Sequence, residues 1–135
     1  MPELPEVEIM ARNLHRWMAG CRVVRLEVMD DKLDERSLRR VEGCEVLRVS
    51  RRAKYAVLDF SGDQHLLLHY RMTGKTVVDP RSERRARLRW VLDKGPPVVF
   101  EDPRRFGTCE WVPSGDLLHY FEGKKLGPEP WPEWR

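Results

Sequence analysis

The stretch YAVLDFSGDQHLLLHY, residues 55–70, decides the fold. Residues 55–60 are a short apolar run, Ser61-Gly62-Asp63 supplies the turn chemistry, and residues 65–70 run apolar again. Leu66, Leu67 and Leu68 stand in one continuous block, the pattern of a buried strand. His65 and His69 would share one face of a helix, but their segment reads as a strand, so they are not taken as a ligand pair. Outward from this pair the same grammar repeats. Residues 45–50 read as a strand, and residues 76–78 resume one after the break at Thr73-Gly74. Residues 22–29 alternate, with Val24, Leu26 and Val28 set against Arg25 and Glu27. Residues 88–92 and 98–101 flank the turn Asp93-Lys94-Gly95-Pro96-Pro97, and residues 108–112 close the series. About eight short strands with regular turn signals predict a sandwich or barrel.

Before the strands comes a helix over residues 5–19. Val7, Met10, Leu14, Trp17 and Met18 repeat at helical spacing, Arg12, Asn13 and Arg16 take the other side, and Gly20 is a C-terminal stop. A short helix is expected over residues 35–41, ended by Gly43. Beyond Pro113 the pattern is irregular, with one helical turn over residues 117–121. Leu126-Gly127-Pro128-Glu129-Pro130-Trp131-Pro132 reads as extended linker, because each proline restricts itself and its predecessor. The expected fold is a two-layer antiparallel β-sandwich of about eight strands, with the N-terminal helix packed at its side.

The 135 residues fit one domain, and 41% hydrophobic residues can fill its core. A net charge of +3 is mildly basic, so a nucleic-acid partner requires a local patch. Cys21, Cys44 and Cys109 are far apart and read as reduced, mostly buried thiols of a cytoplasmic protein. The four histidines make no zinc-finger pattern, so no metal site is expected in this chain. No secretory signal and no membrane-spanning run is read in the sequence.

Chemistry gathers first at Met1-Pro2-Glu3-Leu4-Pro5-Glu6. Removal of Met1 leaves a terminal proline, whose secondary amine can attack an electrophilic carbon and form a Schiff base. A terminal amine has a reference pKa near ~8, against above ~10 for lysine, so it is the more available nucleophile at neutral pH. Glu3 is a candidate proton shuttle. Pro5 suits the first helical turn, and the positive end of that helix disfavours a protonated amine while welcoming a phosphate. Two further segments can enter a base stack. Met72 is a flexible apolar side chain at a loop tip. Asp102-Pro103-Arg104-Arg105-Phe106-Gly107 offers Phe106 as a wedge and Arg104 as a donor that can meet the acceptors of an orphaned cytosine. Each segment also has a plainer reading, as a core methionine or as a tight turn with solvated arginines.

Pro2-Glu3-Leu4-Pro5-Glu6-Val7-Glu8, Arg51-Arg52-Ala53-Lys54-Tyr55, Arg71-Met72-Thr73-Gly74, the Asp102–Gly107 hexapeptide and Leu126-Gly127-Pro128-Glu129-Pro130 together resemble the formamidopyrimidine-DNA glycosylase family. The hexapeptide matches the family's loop residue for residue. The resemblance implies base-excision repair of oxidised purines (8-oxoguanine, formamidopyrimidine) in damaged double-stranded DNA. It implies glycosylase and abasic-site lyase chemistry through Pro2, with Glu3 moving protons and Lys54 binding lesion and phosphate. Glu6 has two readings, an orienter of water or sugar and a first-turn helix carboxylate. Met72, Arg104 and Phe106 would fill the space of the flipped nucleotide, whose extrusion costs roughly a few kcal/mol. Arg105 is carried as a DNA contact, and Arg51 and Arg52 as weaker phosphate contacts.

The same resemblance implies a division into a catalytic domain over residues 1–125 and the start of an interdomain linker over 126–135. The family continues into a helix–two-turn–helix unit and a zinc finger, which this sequence lacks, so zinc is expected only in that missing domain. The expected protein is a monomer in the bacterial cytoplasm, at the nucleoid, with no membrane partner. Missing phosphate contacts imply weak DNA binding. The alternative is a non-catalytic DNA-binding or interaction module derived from the same domain. The arginine-rich strip over residues 81–89 departs from the family, where many relatives carry histidine and aspartate. Its readings are a solvated sheet face, a phosphate-binding strip and a surface for the missing domain, with the solvated face ranked first.

Overall fold

The computed structural model describes residues 4–78 and 85–123. Helix α1 (Leu4–Met18) opens the fold. It buries Val7, Ala11, Leu14 and Met18 at i, i+4, i+7 and i+11, one stripe of a helix. Burying Val7, Leu14 and Met18 contributes about 1.5–3 kcal/mol each, which offsets the weak intrinsic stability of a helix this short. Glu6 in the first turn and Arg16 in the last complement its dipole. Gly20, at φ +84°, turns the chain out of the helix.

Strand β1 (Val23–Val28) leads to a short helix α2 (Glu35–Leu38) and a 3₁₀ turn over Arg39–Val41. Asp34 caps α2 by accepting a hydrogen bond from the Ser37 amide at 3.2 Å. Then follow β2 (Val46–Arg52), β3 (Tyr55–Phe60), β4 (Gln64–His69), β5 (Lys75–Val78), β6 (Ala86–Leu92), β7 (Val98–Glu101), β8 (Thr108–Pro113) and helix α3 (Ser114–Gly123). The strands make two four-stranded antiparallel sheets, β1-β6-β7-β5 and β2-β3-β4-β8. Their inner faces, with α1 packed on β2 and β3, enclose one core that contains Trp90, Tyr70, Phe60 and Phe100. A smaller cluster of Tyr55, Val57, Leu67, Val112 and Phe121 seats α3 on the other face of the second sheet. The expected two-layer sandwich with a helix at its side is the observed fold.

Several local expectations change. Val24 was expected to face inward, but it is 56% exposed while Val23 is buried. A register shift between Val23 and Arg25 moves the alternation by one residue. The strand predicted over 45–50 continues to Arg52, and Lys54 sits in the turn at the entrance to β3, as expected. The single turn predicted over 117–121 is a ten-residue helix. Strand β6 starts two residues earlier than predicted, and its Arg87 is buried, 2% exposed. That overturns the solvated-face reading for Arg87. The rest of the strip up to residue 84, and the linker over 126–135, lie outside the described residues.

Candidate nucleic-acid interface and catalytic end

Strand register brings the separated motifs together. Across the second sheet Arg52 pairs with Tyr55, Tyr55 with His69, and His69 with Thr108. That row is the end of all four strands. From it emerge the turn holding Lys54, the loop holding Met72, and the loop that runs from Asp102 to Gly107. The first sheet agrees, since Glu101 at the end of β7 pairs with Lys75 at the start of β5. The start of α1 lies at the same end. A groove of about 430 Å³ is lined by Glu6, Ile9, Met10, Met72, Thr73, Gly74 and Lys75. On the other side of α1, Glu8 pairs with Arg51 of β2 at 3.6 Å. Pro2 and Glu3 lie outside the described residues. Glu6 is exposed at the helix start and faces this groove.

Three of these side chains follow a residue with left-handed backbone. Ala53 at φ +50°, Arg71 at +59° and Arg105 at +59° precede Lys54, Met72 and Phe106. Such a conformation costs about 1–2 kcal/mol for a residue with a Cβ, so the surroundings must hold it. For Arg71 the holder is His69, whose Nδ1 accepts the Arg71 amide at 3.1 Å. For Ala53 it is Arg51, whose guanidinium donates to the Ala53 carbonyl at 2.9 Å. The results are exposed apolar tips: Met72 is 56% exposed and Phe106 is 48% exposed. The Arg104 guanidinium stacks 4.9 Å from the Phe106 ring centre, a cation–π contact that presents both side chains together.

Arg105, expected as a DNA contact, is tied to an acidic pair while its side chain stays 45% exposed. Its guanidinium donates to the buried Asp30, through Nε at 2.9 Å and again through Nη2, and Nη2 also reaches Asp31 at 2.7 Å. These bonds hold the Asp30 carboxyl far below the usual carboxylate range, with help from the Lys32 amide and Arg87 and against the opposing effect of burial. Arg52 is half-buried with its guanidinium 5.4 Å from the Phe121 ring centre.

The sequence reading missed Arg87, and Asp102 was given no role of its own. Arg87 donates from Nε to Asp30 at 2.6 Å and from Nη1 to the Gly107 carbonyl, and it lies 3.7 Å from Asp102. Asp102 accepts from the Thr73 hydroxyl, from the Arg104 amide at 3.1 Å and from the Gly107 amide at 2.7 Å. Burial alone would raise its pKa, but these hydrogen bonds outweigh it and hold the carboxyl below its ordinary value. The sequence signal existed at one end of the network only, where Asp102 precedes Arg104 and Arg105; Asp30 stands in Met29-Asp30-Asp31-Lys32, with no arginine beside it. Among the described residues no three His, Cys, Asp or Glu side chains gather closely enough to hold a metal, so no zinc is assigned to them. No helix among the described residues is long and apolar enough to cross a membrane.

Residues 1–109 match the sequence model of the Formamidopyrimidine-DNA glycosylase N-terminal domain. The chain belongs to this family. It is 40% identical over 140 residues to a formamidopyrimidine-DNA glycosylase of Pediococcus pentosaceus, covering 98% of this chain and 51% of that protein. It is 34% identical to one of Ruegeria pomeroyi, over 96% of this chain and 51% of that protein. Among solved structures, the Lactococcus lactis formamidopyrimidine-DNA glycosylase bound non-covalently to abasic-site DNA superposes with a TM-score of 0.88 and 31% identity. That match covers 96% of this chain and 52% of the Lactococcus chain. The same enzyme, in complex with DNA containing N7-benzyl-Fapy-dG, also superposes with a TM-score of 0.88, at 32% identity. This formamidopyrimidine-DNA glycosylase domain thus spans about half the length of the relatives it matches.

Proposed function

We propose that this chain carries the catalytic half of a DNA glycosylase and abasic-site lyase for oxidised purines in duplex DNA. The observation that carries the reading is the convergence of Lys54, Met72, Arg104 and Phe106 on one end of the sandwich, beside the start of the helix that follows Pro2. The flipped nucleotide brings its sugar to the terminal amine. The Pro2 nitrogen attacks C1′, the C1′–base bond breaks, and the base leaves with its electron pair and takes up a proton while the amine loses its own. Glu3 gives a proton to the ring oxygen as the C1′–O bond opens, leaving an iminium between Pro2 and C1′. The iminium acidifies the adjacent C2′–H. Loss of that proton gives an enamine, whose electron pair returns to form the C2′–C3′ double bond and restore the iminium as the 3′ phosphate departs, so the strand is cut. Lys54 supplies a cation for lesion and phosphate, and Glu6 orients water or the sugar. Met72, Phe106 and Arg104 occupy the vacated stack, with Arg104 facing the orphaned base. The family membership and the DNA complexes of its relatives support this assignment.

This reading places zinc in a further domain outside these residues. It makes the working unit a monomer on the bacterial chromosome, in the cytoplasm. Because the relatives are about twice as long, this reading assigns further phosphate contacts to their other half. DNA affinity falls steeply as fewer phosphates are neutralised, so binding by this chain is expected to be weak and salt-sensitive. The test is borohydride trapping on an abasic-site duplex, with removal of Met1 checked by intact mass. An adduct mapped to Pro2 supports the amine chemistry. Its absence, with Pro2 free and DNA bound, favours the non-catalytic DNA-binding module. Cleavage of 8-oxoguanine and oxidised-pyrimidine duplexes, run side by side, tests the lesion class.

A further inference from the structure

The loops carrying Met72 and Phe106 are remote in sequence and joined by one carboxylate. Asp102 is 1% exposed and belongs to the Phe106 loop, yet Thr73 of the Met72 loop donates its hydroxyl to Asp102 Oδ1. Oδ1 also takes the Arg104 amide and Oδ2 takes the Gly107 amide, so the same carboxylate fixes both ends of its own loop. A buried carboxylate tolerates little displacement from its donors, because any broken hydrogen bond leaves charge unsolvated. Below it the two loops share a floor. A Cβ on Gly74 would lie 3.0 Å from the Phe100 ring, and one on Gly107 would lie 2.6 Å from it. Arg87 closes the far side by donating to the Gly107 carbonyl and stacking 5.4 Å from the Phe100 ring centre.

We propose that Asp102 is a positioning residue that locks the Met72 tip and the Arg104–Phe106 tip into one rigid wedge. This rests on the proposed function, in which both tips enter the stack, and it adds that they enter as a unit. A tip belonging to a rigid pair is useful only while its partner stands. Loss of either tip therefore removes most of the benefit of both.

Two measurements on the full 135-residue chain test it. In the DNA-free chain, amide hydrogen exchange of residues 103–107 is followed in Thr73→Val and Thr73→Ser. Thr73→Val is expected to speed exchange in that distant loop about tenfold, and Thr73→Ser, which keeps a hydroxyl, is expected to restore protection. Unchanged exchange in residues 103–107 of Thr73→Val overturns the proposal whatever DNA does. The second measurement is the dissociation constant for a duplex bearing a tetrahydrofuran abasic analogue at low salt. With Thr73 present, Met72→Ala and Phe106→Ala should each weaken binding about tenfold, and the double variant little more than either. In Thr73→Val the two losses should multiply. Multiplying losses with Thr73 in place overturn the single-wedge idea. A merely structural bond would lower the melting temperature yet leave this coupling unchanged. If the unaltered chain fails to distinguish abasic from intact duplex, the proposed function fails, and the exchange experiment still decides the coupling of the loops.

Discussion

Two regions share one end of this sandwich, and they are held in place by opposite means. The Asp102–Gly107 loop is pinned by charges taken out of water. The side chains of Asp30 and Arg87 are each 3% exposed, and that of Asp102 is fully buried. The start of α1 is tied to the Lys54 hairpin through Arg51 and Glu8, at 3.6 Å, with Glu8 41% exposed. A buried pair broken on one side leaves a desolvated charge, whereas an exposed pair broken on one side loses little to water. The loop, which under the proposed function would hold a gap open, is therefore stiff. The start of α1, which under the same proposal follows the nucleophile, is tied less firmly.

That contrast can be broken by substitution. Arg87→Met is the harshest test, since it leaves Asp30 and Asp102 short of a buried cation. It should cost about 3–5 kcal/mol, read from the urea midpoint at constant slope. A loss under 1 kcal/mol would mean that the buried network holds nothing in place. Acid titrates the same network more gently. Asp30, Asp59 and Asp102 all have carboxyl groups lowered below their ordinary value. For Asp59, burial opposes ionisation, but hydrogen bonds from His65 and Arg48 outweigh it. A lowered folded value stabilises above the unfolded pKa of about 4 and is lost as pH falls through the folded one. The melting temperature should stay level from pH 7 to about 5, then fall below about pH 4, and Asp30→Asn should flatten that fall. A profile that Asp30→Asn leaves unchanged would remove Asp30 from the account. The mildest change, Glu8→Gln, should shift stability by less than about 0.5 kcal/mol, because the 3.6 Å pair is long and its Glu8 side, 41% exposed, is screened, although Arg51 is only 15% exposed. A larger loss would place the helix start among the stiff regions and erase the contrast.

The legible parts of this sequence were those written in neighbouring residues. The hairpin over residues 55–69 could be read because its apolar runs and its Ser-Gly-Asp turn are contiguous. The exposed tips at Met72 and Phe106 could be read because Met72 stands two residues before Gly74 and Phe106 directly before Gly107, each in a polar loop. Val24 could not, because a bulge inverts alternation without marking itself in composition. Arg87 could not either. Its carboxylate partner Asp30 is 57 residues away, and one buried arginine in an arginine-rich strip looks like its solvated neighbours. The convergence of Lys54, Met72 and Phe106 needed strand register, which pairs residues as remote as His69 and Thr108.

Gly74 and Gly107 carry a consequence for anyone redesigning this end of the sandwich. Neither has a positive φ, so each is required for space and not for conformation. Trimming Phe100 would not make room, because the carbonyl oxygens of Tyr70 and His69 stand 2.5 and 2.9 Å from where the new side chains would begin. A combinatorial library can therefore vary the tips at Met72, Arg104 and Phe106 in combination while these two positions stay fixed, as the seat of an otherwise replaceable tool head.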